Sequence, residues 1–296
     1  MDYIPGLTST RLVDLPPPFE ESKSHVIKRL LQVITQVHKA HYLLFPTVYE
    51  LDPQAIDALR AELSFPIYTI GPAIPYTNIL SHHSVDDQSS QQDQHHYFQW
   101  LDRQPRGSVL YISLGSYLSV SSSQTGEIAA GLRESGVRFL WVARGDAGGL
   151  RELSASCGDG DVMGLVVPWC DQLRVLCHAS VAGFWSHCGW SSVNEGVFAG
   201  VPFLTFPLGM DQILSSKVIV EDWKIGWRVK RDRLSGLVGR EEIAGLVRKF
   251  MGLESDDHEA QELRRRVREL REICHCSIGQ DGSSESNINA FLRDIS

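Results

Sequence analysis

From Tyr97 onward the chain alternates between two kinds of segment, and no other feature limits its fold as strongly. Short apolar runs, "SVLYISLGS", "VRFLWVAR", "GLVVPW", "GFWS", "PFLTFP" and "GWRVK", are separated by stretches with helical spacing such as Ser121 to Ser135. A strand covered on both faces reads as a near-continuous apolar run, and parallel neighbours need a crossover that is usually a helix. The alternation therefore predicts an α/β, doubly wound, Rossmann-like domain built on a parallel sheet. Ligands of such sheets bind beyond the carboxyl ends of the strands. The loops that follow the apolar runs are thus the place to look for chemistry.

The residues on either side of this region are less regular. Residues 1–75 begin with a proline-rich extended piece. A helix in "HVIKRLLQVITQVHKA", an apolar run in "HYLLFPTVYEL", a helix from Pro53 to Leu63 and a strand in "FPIYTIGP" follow. Such a β-α-β fragment is too small to bury a core of its own. Residues 76–96 are polar and aperiodic and read as an exposed linker. Near the end, "HEAQELRRRVRELREIC" interleaves arginine with glutamate, with Glu262 and Arg266 at i, i+4, so a solvated, salt-bridged helix is expected. "SESNINAFLRDI" reads as a short amphipathic helix.

Composition excludes several classes of function. A net charge of −8 gives no positive surface for a phosphate backbone, so nucleic acid is not an expected partner. No apolar run reaches bilayer length and the first residues lack a secretory pattern, so a cytoplasmic protein without membrane insertion is expected. In that setting the six cysteines read as reduced thiols filling apolar gaps. Cys170, Cys177, His178, His187 and Cys188 lack the short knuckle spacing of structural zinc sites, and no metal is expected.

Polar residues gather at three strand ends. In "SVAGFWSHCGWSSVNEG", His187, Gly189 and Trp190 fall in a turn and Ser191 and Ser192 open a helix. The first amides of a helix have no internal partner and carry the positive end of its dipole, which suits an anion such as a diphosphate. The pair Ser192 and Glu195 also has the spacing of a capping box. Trp169, followed by Cys170, Asp171 and Gln172, could stack on a nucleobase beside a hydrogen-bonding amide, or could be a core tryptophan. Asp211 and Gln212 suit sugar hydroxyls, although Asp211 alone could be a helix N-cap.

Taken in order, W-x-x-Q, H, GF, HCGW, S, E, GVP, P and DQ between Trp169 and Gln212 resemble the signature box of plant family 1 UDP-dependent glycosyltransferases, which act on small lipophilic metabolites. "YISLGS", "FLWVAR", "YLLFPTVYELDPQAIDAL", "FPIYTIGPAIPY" and "SSESNINAFLRDI" extend the resemblance over nearly the whole chain. It implies a GT-B-like fold with one complete Rossmann-like donor domain over 97–280. A remnant of the N-terminal acceptor domain over 1–75, the linker 76–96 and a C-terminal helix over 281–296 complete it. It further implies that Trp169, with Cys170 beside it, stacks on uracil, that Gln172 helps hold the nucleoside and that Glu195 grips the ribose. His187, Ser192 and Ser116 would contact the diphosphate near Gly189 and Ser191, and Trp190, Asp211 and Gln212 would face the sugar. A final glutamine is associated in that family with glucose.

Three positions depart from the usual pattern: Ser191 stands for Asn, Asp171 for Pro and Ala182 for Gly. The implied reaction is an inverting transfer of a hexose from UDP-glucose to a hydroxyl of a small acceptor such as a flavonoid or phenolic, without metal or cofactor. The family's catalytic histidine and its orienting aspartate would precede Met1, so no catalytic residue is nominated. His25, His38 and His41 lie on or beside a helix that matches another part of the family. The expectation is an N-terminally truncated transferase of impaired activity. The alternatives are a non-catalytic module that binds nucleotide-sugar, or an incomplete product that does not fold stably.

Overall fold

In a computed structural model of the chain, the described residues are 24–76, 91–115, 120–143, 163–230, 236–252 and 258–296, with Gly6, Thr10, Arg11 and Asp14. The chain divides into two compact units, Met1–Ala73 with Leu270–Ser296 and Ile74–Glu269.

The first unit contains α1 (Ser24–Gln36), β1 (Leu43–Phe45), α2 (Pro53–Glu62) and β2 (Ile67–Thr69). It also takes the last turns of α9 (His258–Ile278) and all of α10 (Ser283–Asp294). Pro53 at the first position of α2 fits a helix start, where no amide donor is needed. The two strands pair with each other in parallel, Leu44 opposite Tyr68. The closing helix belongs here because its polar face is tied to this sheet. Asn287 Nδ2 donates to Thr69 Oγ1 at 2.9 Å, the Tyr42 hydroxyl donates to the Asp294 carbonyl at 3.0 Å, and the Tyr68 hydroxyl bonds the Asp294 carboxylate. The division at Leu270 therefore differs from the boundary at 280 read from the sequence. These side-chain ties cross more than two hundred residues of chain, which no local pattern reveals.

The second unit opens with α3 (Gln91–Asp102), so a helix starts inside the segment expected to be linker; residues 77–90 lie outside the described residues. Its anchors, Tyr97 and Leu101, are fully buried. Six parallel strands follow: β3 (Val109–Ser113), β4 (Arg138–Val142), β5 (Gly164–Val167), β6 (Val181–Ser186), β7 (Phe203–Thr205) and β8 (Gly226–Arg228). Their order in the sheet is β5-β4-β3-β6-β7-β8. Between them lie α4 (Ser122–Ser135), α5 (Gln172–Leu176), α6 (Trp190–Ala199), α7 (Gln212–Lys217) with a π-helical turn (Val218–Asp222), and α8 (Arg240–Phe250).

Alternating residues of each strand face opposite layers. Leu110, Ile112 and Trp185 pack with Ile243, Val247 and Phe250 of α8 in the main core. On the other face, the Tyr111 and Phe184 rings stack at 5.2 Å and Phe203 continues the row. Gly196 of α6 admits Phe203, since a Cβ there would fall 2.3 Å from the ring. β3 and β6 are neighbours, and the chain leaves β3 toward β4 and β5 but leaves β6 toward β7 and β8. The order thus reverses at β3 and β6, and a crevice opens beyond their carboxyl ends. The α9 helix carries the expected ladder, with Arg266 Nε donating to Glu262 Oε1 at 2.7 Å. Among the described residues, no helix is long and apolar enough to cross a membrane.

Candidate functional site

The crevice at the strand reversal holds a cavity of about 350 Å³, within the range usual for small-molecule sites. Three loops build it. After β3 comes Gly115, after β5 come Trp169, Cys170 and Gln172, and after β6 come His187, Gly189, Trp190, Ser191 and Ser192. Tyr111, Ser113 and Val142 supply the floor. Eight of the residues singled out from the sequence therefore share one cavity wall. Ser116 lies outside the described residues.

Trp169 is not a core residue. It is 52% exposed at the rim, and a large apolar side chain held in water offers a flat face to an incoming ring. The chain turns behind it because Asp171 caps α5, accepting the Arg174 amide at 3.2 Å, while the Tyr97 hydroxyl accepts the Asp171 amide at 3.0 Å. That cap is a local reason for the aspartate at this position.

Gln172 is the hub of the polar wall. Its Oε1 accepts from the Tyr111 hydroxyl at 3.0 Å, its Nε2 donates to Ser192 Oγ at 2.9 Å, and Nε2 also donates to the Glu195 carboxylate. The capping-box reading of Ser192 and Glu195 is thus overturned. Helix α6 starts one residue earlier than the serines, at Trp190, with Gly189 as a cap that supplies no side-chain bond. Ser192 accepts from the glutamine amide instead, which leaves its own O–H free to donate. Burial raises the Glu195 pKa, Asp171 adds to the rise, and the bond from Gln172 opposes it. Burial also pushes the Cys170 thiol up to about 12, so it stays neutral.

His187 is gripped by two glycines. A Cβ on Gly115 would lie 2.8 Å from its Cδ2, and a Cβ on Gly189 would lie 2.6 Å from its Nε2. Gly115 also needs its φ of +88°, a region where other residues are strained. Burial lowers the His187 pKa, against the pull of the Ser113 carbonyl and Asp211, so the ring is neutral near pH 7 and donates one N–H. Its Nδ1 is buried without a hydrogen bond of good geometry.

Glu195, Asp211 and Gln212 do not line the cavity. Glu195 is joined to it through Gln172. Asp211 precedes α7 but caps nothing with its side chain. Gln212 is buried and accepts the Leu208 amide at 2.8 Å, which holds the loop after β7. Trp190 leans toward Trp223 with ring centroids 6.2 Å apart.

Two other groups invite a chemical reading and do not support one. Ser180, His178 and Asp102 form a line, with His178 Nδ1 2.8 Å from Ser180 Oγ and Nε2 3.1 Å from Asp102 Oδ1. Ser180 is 2% exposed, so no substrate reaches its hydroxyl, and the line fastens α3 to the turn before β6. Among the described residues, no three His, Cys, Asp or Glu side chains are grouped to hold a metal ion. Sequence reasoning passed over Tyr111 and Ser113, which lie within an apolar run and look like core; only their place at the end of β3 could have marked them.

The sequence model of the family described as UDP-glucoronosyl and UDP-glucosyl transferase matches residues 3–232. UDP-glycosyltransferase 87A2 of Arabidopsis thaliana is 50% identical over the whole chain, which covers 62% of that protein. Phytolacca americana UGT2, solved with UDP-2fluoro-glucose and pterostilbene, superposes with a TM-score of 0.80 at 31% identity, over 98% of this chain and 61% of that one. Os79 of O. sativa, solved with UDP, gives 0.80 at 29% identity over 96% and 62%. The chain thus spans a little under two thirds of the relatives it matches. With the W-x-x-Q, HCGW and DQ residues set on a six-stranded parallel sheet, the chain belongs to the plant family 1 UDP-glycosyltransferases and carries the Rossmann-like half of their GT-B fold.

Proposed function

We propose that the chain binds UDP-glucose and serves transfer of the glucose to a hydroxyl of a small acceptor, a phenolic or flavonoid. The observation that carries this reading is one cavity at the strand reversal in which an exposed indole, a half-buried histidine and the start of α6 converge. Trp169 stacks on uracil, a contact worth about 1–3 kcal/mol, with Cys170 forming an apolar seat beneath it. The Glu195 carboxylate accepts from the ribose hydroxyls. The diphosphate sits where the first amides of α6, His187, the Ser192 hydroxyl and the exposed Ser191 offer donors, with Gly189 allowing close approach; Ser116, outside the described residues, is assigned to the same group by the family pattern.

Trp190 and Asp211 face the sugar, and Gln212, whose Oε1 is occupied by the Leu208 amide, turns its N–H groups to it. In the transfer, the acceptor oxygen attacks the anomeric carbon as the bond to UDP breaks. The charge left on UDP is held by donors fixed before the reaction, the arrangement that favours a transition state over a ground state. The reading uses no metal or cofactor, and no described residue is assigned as the base. The neighbour solved with UDP-2fluoro-glucose and pterostilbene supports donor and acceptor of these kinds. The free thiols fit a cytoplasmic setting.

Calorimetric titration of the chain with UDP tests the proposal. Saturable binding is expected, weakened about tenfold or more in Glu195→Ala by loss of hydrogen bonds to a charged acceptor. No saturation at millimolar UDP would overturn it.

A further inference from the structure

Tyr111 is the residue of the cavity that neither motif nor spacing singled out. It is 1% exposed, and its ring is fixed by stacking on Phe184 at 5.2 Å in the middle of the sheet, so its hydroxyl has one place to be. Three groups lie within reach: the Ser113 side chain, which donates to the phenol oxygen, and the Gln172 Oε1 at 3.0 Å and the Cys170 Sγ at 3.4 Å, to which the phenol could donate. A thiol is a weak partner, so the phenol proton goes to the amide oxygen.

That bond holds the oxygen end of the Gln172 amide while the Glu195 carboxylate holds its nitrogen end. A side-chain amide has two orientations related by a half-turn, with its oxygen and nitrogen exchanged. In the orientation present, oxygen faces the phenol and both N–H bonds are spent on Ser192 and Glu195. In the other, the amide oxygen would meet an acceptor-only carboxylate. The Gln172 amide, itself part of the cavity wall, thus orders Ser192 and Glu195 on either side of it.

We propose that Tyr111 is a positioning residue of the nucleotide site, its buried hydroxyl locking the Gln172 amide so that Ser192 presents its proton and Glu195 its second oxygen to the bound nucleotide. The proposal rests on the UDP reading above. Removing the phenol oxygen takes away the donor to the amide oxygen at the half-buried end of the side chain and leaves the amide free to turn.

Titration with UDP and with 2′,3′-dideoxy-UDP, which lacks the hydroxyls Glu195 accepts from, tests it. The wild-type chain is expected to prefer UDP by about tenfold or more. In Tyr111→Phe this preference falls below about threefold while affinity for dideoxy-UDP stays within about threefold of wild type, a pattern that general loosening of the fold would not give. Gln172→Met, which cuts the same chain of bonds at its centre, shows the same collapse, and adding Tyr111→Phe to it changes nothing more. An undiminished preference in either single variant overturns the proposal, and Gln172→Met decides it should Tyr111→Phe not fold. A wild-type chain that binds neither nucleotide overturns the UDP reading itself, an outcome distinct from binding without altered preference.

Discussion

The imidazole of His187 is held by what is missing on either side of it. Gly189 has an ordinary backbone, φ −62°, so any residue could adopt its conformation, and only the space claimed by the histidine ring forbids a side chain. Gly136 is the opposite case, with φ +65° and nothing within 4 Å of a Cβ. Gly189→Ala and Gly136→Ala are both expected to lose about 1–3 kcal/mol, the first by overpacking and the second by a left-handed backbone. Only Gly189→Ala should also lose UDP affinity, about tenfold or more; equal affinities by calorimetry would show that the ring is free to shift. The same contrast explains what could be read in advance. Trp169, Gln172 and His187 declare themselves because polar and aromatic residues after a strand are unusual. Tyr111 does not, because its partner lies 61 residues away and its neighbours in sequence are core.

At the scale of elements, five of the six strands of the second unit fall within the apolar runs and β6 starts two residues before "GFWS", since a strand buried on both faces has no choice but to be apolar throughout. Helix starts were harder to read. Ser192 and Glu195 have capping-box spacing, yet an amide 20 residues upstream competes for the serine and wins. α3 begins in a polar stretch, and the apolar anchors that mark it, Tyr97 and Leu101, come later in the helix. The layer of α4 and α8 depends on a similar long-range tie. Gln124, 3% exposed, accepts the Val238 amide at 2.8 Å and donates to the Val238 carbonyl at 3.0 Å. Gln124→Leu keeps the volume but strands both backbone groups. It is expected to cost about 2–4 kcal/mol in chemical denaturation with UDP affinity preserved. A loss under about 0.5 kcal/mol would show that this loop finds other partners.

Over the whole molecule, five cysteines are free among the described residues and three of them are buried. Burial pushes the Cys170, Cys188 and Cys274 thiols from their ordinary 9.0 up to about 12. Unfolded thiols release protons near 9 while the folded ones keep theirs, so the folded chain binds more protons between these limits. The thiols' contribution to stability is therefore full below pH 9 and is lost as pH climbs toward 12, by up to about 1.4 kcal/mol per pH unit for each. Denaturation midpoints between pH 8 and 11 should show this decline, less steep in Cys188→Ala; identical slopes would locate the decline in other groups.

The reversal of strand order between β3 and β6 has one more consequence. The walls of the crevice come from segments more than seventy residues apart, brought side by side only when two separate crossovers have been laid down on the correct sides of the sheet. On the proposed UDP reading, a nucleotide therefore has nothing to hold in a chain that is partly assembled. Each molecule it captured would be withdrawn from the unfolded population, so the ligand would act as a ratchet on the topology that created its seat.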